Sequence, residues 1–289
     1  MRILIFGAGG MIGSAMFKVL HANPDLEVIG TIRRSEDRNF FSADQAKNLI
    51  VVRDIENIDL LVKAFVDYEP QVVINCIGLT KHHLESNDPI LTIPINTLLP
   101  HRMSQLCAIS GARFIHISTD CVFSGATGNY HEDFPSDAKD LYGKSKFLGE
   151  TIDGNHALTL RTSTIGHELS SAYGLLEWFL CQETTCRGFA NAIFSGLPNT
   201  VFAEVIRDYV LPNKNLHGLY HVGAKPIGKY ELLQIISKVY QKSISIVRDD
   251  DFKIDRSLNS KKFTLATAYQ APDWPELINS MYNAHSIRK

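Results

Sequence analysis

Tyr142 and Lys146 stand four residues apart in Tyr142-Gly143-Lys144-Ser145-Lys146, a spacing that puts both on one face of a helix. Asp137 or Asp140 is placed to cap that helix. An ammonium beside a phenol favours the phenolate, so Lys146 is expected to lower the Tyr142 pKa and make its hydroxyl a better proton donor to a developing alkoxide. A third group, Thr119, follows directly on the apolar run Phe114-Ile115-His116-Ile117-Ser118. A hydroxyl at the carboxyl end of a strand is well placed to hydrogen-bond a carbonyl oxygen. Each feature has a plainer explanation, an exposed helical pair or a turn threonine, but the three together suit proton delivery to a ketone.

A ketone that takes a proton must also take a hydride. Directly after the apolar run Ile3–Phe6 comes Gly7-Ala8-Gly9-Gly10-Met11-Ile12-Gly13, which matches G-x-x-G-x-x-G through Gly7, Gly10 and Gly13. Ile12 occupies the place where the more usual G-x-G-x-x-G has glycine. A glycine-rich strand-to-helix turn lets backbone N–H groups, here including those of Met11 and Ile12, face a pyrophosphate. The second strand ends Thr31-Ile32-Arg33-Arg34, where an NAD-binding site would place a carboxylate for the ribose hydroxyls. Two guanidiniums favour a 2′-phosphate, so NADPH is the expected cofactor, with NADH possible and Glu36 and Asp37 available to neutralise the basic turn. Asp54 and Ile55, just after the third strand, are expected at the adenine edge.

The elements that must position these groups are legible as periodicities. Strands are predicted at Ile3–Phe6, Glu27–Ile32, Leu49–Val52, Val72–Asn75, Phe114–Ser118 and Ala157–Leu160. Helices are predicted at Ile12–His21, Ile58–Tyr68 and Leu98–Ser110. Such alternation implies parallel βαβ units, hence an α/β chain with a Rossmann-type doubly wound parallel sheet over residues 1–162. Residues 163–289 read as a smaller C-terminal substrate-binding lobe, part of which can return to the sheet. Helices are expected there at Leu175–Gln182, Val201–Val210, Lys229–Tyr240 and Pro275–Ala284, with short strands near Gly218–Val222 and Ile244–Val247. Phe194–Thr200 and Asp249–Ser260 read as irregular, and no repeat or low-complexity segment interrupts the chain.

Composition narrows the function classes. The chain has 289 residues, 45% hydrophobic and 21% charged, with a formal charge of −2, so it should fold and has no general attraction for nucleic acid or an acidic membrane. Cys76, Cys107, Cys121, Cys181 and Cys186 form neither a CxxC pair nor a zinc pattern and read as reduced thiols, with Cys181 and Cys186 as packing residues. The apolar start is broken by glycines rather than built as a signal peptide, and no stretch reaches membrane-spanning length. A soluble, cytoplasmic protein is expected, as a monomer or homodimer. His82-His83 cannot easily share one ion, so no catalytic metal is expected.

The glycine motif, Ser118-Thr119-Asp120-Cys121-Val122-Phe123-Ser124-Gly125 and Tyr142-Gly143-Lys144-Ser145-Lys146-Phe147-Leu148-Gly149-Glu150 resemble the extended short-chain dehydrogenase/reductase superfamily. Within it the similarity is to the dTDP-4-dehydrorhamnose reductase family, specific over about the first 165 residues and looser beyond. The resemblance implies Tyr142 as acid, Lys146 as nicotinamide-ribose ligand and modifier of the tyrosine, and Thr119 as carbonyl partner. It offers Asn96, after the fourth strand, as an active-site asparagine, and Asp120 as a substrate neighbour. It also separates this chain from nucleotide-sugar 4,6-dehydratases, which have Asp-Glu after the threonine where this chain has Asp120-Cys121. A thiol is a poor substitute for that carboxylate.

The second lobe departs further. Arg256 is followed by Ser257 where the rhamnose reductases typically have proline. Arg256 could meet a pyrophosphate and Trp178 could stack on a base or sugar, yet an ion pair and a core aromatic explain them equally well. The expected activity is NADPH-dependent reduction of the 4-keto group of a nucleotide-linked 6-deoxy-hexulose, with a nucleotide-diphosphate sugar as substrate. An epimerase that retains NAD, and a non-catalytic NADP-binding subunit like the regulatory subunit of methionine adenosyltransferase, are the alternatives.

Overall fold

The computed structural model describes residues 1–81 and 84–286. The chain opens with strand β1 (Arg2–Phe6), helix α1 (Met11–His21), β2 (Glu27–Ile32) and β3 (Leu49–Val51), and continues with β4 (Val72–Asn75), β5 (Arg113–Thr119) and β6 (Ala157–Thr162). With a seventh strand, Gly218–His221, these form one sheet in the order Gly218–His221, β6, β5, β4, β1, β2, β3. Every neighbouring pair is parallel. The chain builds outward from β1 in one direction through β3 and in the other from β4. A crevice therefore opens beyond the carboxyl ends of β1 and β4, where such sheets bind ligands.

Strand alternation splits the core into two layers. Ile3 and Ile5 face Met16, Phe17, Phe202 and Ile278 on one side. Leu4 and Phe6 face Leu61, Phe65 and Met103 on the other. Helices Ile58–Tyr68 and Leu99–Ser110 cover that second face, the first capped by Asn57 and the second stopped by Gly111 at φ 72°. The predicted strands thus stand, each within two residues of its expected ends. The helix expected at Leu98–Ser110 has a longer run-up. Asp88 caps a helix at Pro89–Ile93, and a widened π turn at Pro94–Leu98 leads into Leu99–Ser110. Pro94 has no N–H to offer the helical ladder, so the backbone pairing loosens across it.

The second part of the chain does not make a separate apolar core, since Phe202, Leu233 and Ile278 belong to the same cluster as Ile5 and Phe17. The four helices expected there stand at Leu175–Leu180, Asn199–Val205, Lys229–Val239 and Trp274–Ser286, near their expected positions, and a further helix, Lys261–Thr267, was not foreseen. Strand Ser245–Asp249 pairs with Thr185–Phe189, which periodicity did not announce. The supposedly irregular stretches carry strand Leu197–Pro198, paired with Thr164–Ile165, and strand Ile254–Asp255, paired with Ala192–Phe194. Strands of two or three residues are specified by their partners, not by a repeat in their own sequence. Among the described residues no helix is long and apolar enough to cross a membrane.

Candidate active site

The glycine loop lies at the mouth of the crevice, and its glycines do different work. Gly7 has φ +88°, a left-handed conformation that disfavours a side chain, and a Cβ there would press on Ile77 at 2.9 Å. A Cβ on Gly13 would overlap the Gly7 carbonyl, so Gly13 is what lets α1 start this close to β1. Gly9 and Gly10 are exposed, with nothing nearer than 3.5 Å to a Cβ at either position. That open surface lies at the N-terminus of α1, whose first-turn N–H groups at Met11, Ile12 and Gly13 have no helical partners. Thr31, which the sequence reading passed over, braces the loop: its Oγ1 accepts the Gly7 N–H at 3.0 Å and its carbonyl accepts that of Ala8 at 2.8 Å. The arrangement suits a pyrophosphate.

The two arginines after β2 part company. Arg34 is tied to Asp37 at 2.9 Å, and Asp37 is buried with its other oxygen 3.6 Å from where a Gly9 Cβ would lie. Arg33 is exposed and has no hydrogen-bond or ion-pair partner among the described residues. Asp54 is exposed and accepts the Glu56 N–H at 3.1 Å, while Ile55 packs on the second core layer.

Tyr142 and Lys146 lie on helix Leu141–Leu148, and Asp140, not Asp137, caps it by accepting the Gly143 N–H at 2.7 Å. Asp137 instead accepts from Ser124 N–H at 2.7 Å. A side chain at Gly143 would overlap the Cys121 carbonyl, and one at Gly149 would overlap that of Asn96. Two glycines thus clamp the helix between the turn after β5 and the π turn after β4, and bring Tyr142 against Thr119. Thr119 ends β5; its hydroxyl donates to Asp120 Oδ1 at 3.1 Å and accepts the Cys121 N–H at 3.1 Å.

The electrostatics differ from expectation at Tyr142. Burial pushes its phenol up, Cys121 adds to this, and the Thr119 hydroxyl opposes it. Lys146 does not lower it, because the amine points elsewhere: Nζ lies 2.8 Å from the Ile117 carbonyl and 3.4 Å from His116 Nε2. Burial brings Lys146 down to about 8, against the pull of Glu150 and Cys76. Cys121 is pushed up to about 11, chiefly by burial, so it stays a neutral thiol and no base.

Below this helix lies a buried ion pair. Glu150 takes both Nε and Nη2 of Arg161, at 2.8 and 2.7 Å, and accepts the Ser118 hydroxyl at 2.7 Å. Arg161 stacks on Phe123 and lies 3.3 Å from His221 Nε2. The end of the Tyr142 helix, the strand bearing Thr119 and the seventh strand are thereby locked together.

Of the expected substrate residues, Asp120 and Arg256 come together beside Tyr142. Burial raises Asp120, with Arg256 the strongest opposing charge and Lys81 a further one. Arg256 is anchored by Nε on the Phe123 carbonyl at 2.8 Å. Lys81, not foreseen, stands 5.8 Å from the Tyr142 ring centre and 3.4 Å from Asp140. Asn96 has its side-chain amide engaged within the protein. It is fully buried, with Oδ1 on the Leu79 N–H at 2.9 Å and Nδ2 on Leu79 O and Ser145 Oγ, so it positions the β4 loop and the Tyr142 helix. Trp178 sits half-exposed on helix Leu175–Leu180, and its indole has no hydrogen bond or ring contact among the described residues. Cys186 is buried as expected, whereas Cys181 is exposed. The His82-His83 pair lies outside the described residues. Among those described, no three His, Cys, Asp or Glu side chains converge as metal ligands.

Comparison with known proteins gives the chain's family and shows its fold in solved structures. Over 165 residues the chain is 32% identical to the spore coat polysaccharide biosynthesis protein SpsK of Bacillus subtilis, covering 57% of this chain and 51% of that protein. It is 31% identical over 150 residues to methionine adenosyltransferase 2 subunit beta of Xenopus laevis, covering 52% and 41%. The chain thus spans about half, or less, of the length of these curated relatives. The crystal structure of dTDP-4-dehydrorhamnose reductase from Bacillus anthracis in complex with NADP superposes with a TM-score of 0.80 at 21% identity, covering 98% of this chain and 99% of that one, which shows a shared fold. The model of the RmlD substrate binding domain matches residues 1–286, and the chain belongs to that family.

Proposed function

We propose that this protein reduces the 4-keto group of a nucleotide-linked 6-deoxy-hexulose, with NADPH as hydride donor. The observation that carries the reading is the meeting of Thr119 and Tyr142 at the carboxyl end of a parallel sheet, beside Lys146 and the open glycine loop. The residues present suit a dinucleotide: the first-turn N–H groups of α1 for the pyrophosphate, Arg33 for a 2′-phosphate, Asp54 and Ile55 at the adenine edge, and Lys146 for the nicotinamide ribose. When bound, that cofactor supplies a hydride to the carbonyl carbon. Tyr142 delivers the proton to the carbonyl oxygen, so ketone becomes alcohol and the phenolate is later reprotonated. A phenol pushed up by burial is fully protonated at neutral pH, as a proton donor must be. Thr119 orients the oxygen by hydrogen bond, and Asp120, Lys81 and Arg256 face the sugar nucleotide. The neutral Cys121 thiol supports reduction without elimination of water, so the ketone would come from an upstream dehydration.

The test is a panel of dTDP-, UDP-, GDP- and CDP-linked 4-keto-6-deoxyhexoses, followed by NADPH absorbance and product NMR. One member should be reduced at C4; tight NADPH binding with no reduction of any would overturn the reading. The second reading, a cofactor-binding subunit without its own chemistry, is favoured by the similarity to methionine adenosyltransferase 2 subunit beta. Co-purification of NADPH-loaded chain with a partner enzyme would support it.

A further inference from the structure

The hydrogen bonds that reach Lys146 have a direction, and the backbone sets it. Asn75 Oδ1 accepts the Ile77 N–H at 3.0 Å, which leaves Asn75 Nδ2 facing His116 Nδ1 at 3.2 Å. An amide nitrogen only donates, so Nδ1 accepts. His116 is fully buried, and burial above all holds its ring well below the usual range and therefore neutral. A neutral ring that accepts at Nδ1 carries its proton on Nε2. That N–H faces Lys146 Nζ at 3.4 Å. An ammonium has no lone pair to receive it, whereas an amine has one, and still keeps an N–H for the Ile117 carbonyl at 2.8 Å. The opposite polarity would turn the Asn75 amide over and set its NH2 against the Ile77 N–H.

We propose that His116 is a positioning residue that favours the uncharged amine of Lys146 in the cofactor-free protein, so that at alkaline pH cofactor binding draws in a proton. Burial acts in the same sense, while Glu150 and Cys76 pull toward the charged form; Tyr142, one turn away, does not touch the amine. The role explains why a histidine stands at the centre of β5 with no exposed surface. The charge state of Lys146 is independent of the proposed reaction; only the coupling to cofactor rests on it.

The experiment is 15N NMR of cofactor-free protein labelled at lysine Nζ, with Lys146→Met identifying the signal. The wild-type midpoint should lie at or below about 8, and His116→Leu should raise it by about one unit, a tenfold change in proton affinity. His116→Gln should restore the wild-type midpoint, because Asn75 Nδ2 would hold the glutamine carbonyl and turn its NH2 toward Lys146. A wild-type midpoint above this range overturns the proposal even if His116→Leu fails to fold. So does an unchanged midpoint in His116→Leu, or one in His116→Gln that moves with it. For the coupling, NADPH binding is measured by calorimetry at about pH 9 in two buffers of different ionisation enthalpy. A buffer-dependent enthalpy supports proton uptake; tight binding without it overturns the coupling. Absence of NADPH binding counts against the cofactor reading above, and the NMR comparison still decides the charge state.

Discussion

Two residues of like charge, adjacent in sequence, have different fates here. Arg34 spends its charge on Asp37, and Arg33 keeps its own. On the proposed reading Arg33→Ala should weaken NADPH binding by about tenfold or more and leave NADH nearly untouched, since the phosphate contact proposed for Arg33 would be lost. Arg34→Ala should act mainly on stability, by leaving a buried carboxylate unpaired; fluorescence titration with both cofactors separates the two variants. At the reacting end, Tyr142→Phe should cost about 10²-fold or more in turnover while NADPH affinity stays within about twofold, read by steady-state kinetics beside direct binding. These residues could be proposed from the sequence because hydroxyl, amine and guanidinium chemistry is written in side-chain type. What they did not announce is direction. The sequence placed Lys146 near Tyr142 along a helix face, yet its amine bonds a carbonyl and an imidazole on β5, some thirty residues earlier. Asn96, expected as an active-site asparagine, hydrogen-bonds backbone and Ser145, partners no spacing rule supplies.

At the scale of the element, the helix that bears Tyr142 is held by what its glycines omit. Gly143→Ala improves intrinsic helix propensity but sets a methyl into the Cys121 carbonyl. The overlap should win, costing about 1–3 kcal/mol in urea unfolding and displacing Tyr142 enough to lower turnover. The Arg161–Glu150 pair, with side chains 2% and 5% exposed, binds that helix to β6. Arg161→Met should lose about 3–5 kcal/mol, because Glu150 would stay buried and uncompensated; paired replacement of both by apolar residues should recover much of the loss. The long strands and helices of the first half could be read from periodicity since each buries a face against the sheet. Strands such as Leu197–Pro198 and Ile254–Asp255 are too short to carry a period, and exist because a neighbouring segment offers its backbone.

For the molecule as a whole, two buried histidines set the response to acid. His221 is lowered to about 3, first by burial and next by Arg161, and His116 lies well below its ordinary value of 6.5. Each binds a proton more readily when unfolded, so their contribution to stability is present above the unfolded pKa of 6.5 and is lost as pH falls toward the folded value. Unfolding free energies from urea titration should drop from about pH 6.5 downward, at up to about 1.4 kcal/mol per pH unit for each ring. His221→Asn should flatten that slope; an unchanged slope would remove His221 as its source.

The seventh strand, Gly218–His221, reaches β6 from more than fifty residues away. A nascent chain leaving the ribosome therefore completes β6 well before the segment that will cover its outer edge has been synthesised. For that interval a row of unpaired N–H and C=O groups is open to any passing strand. A fragment ending near Ile165 would carry the glycine loop, the Tyr142 helix and six of the seven strands, and yet keep the outer edge of β6 open. Slow translation between Thr162 and Gly218 is expected to lengthen that interval and to favour edge-to-edge aggregation.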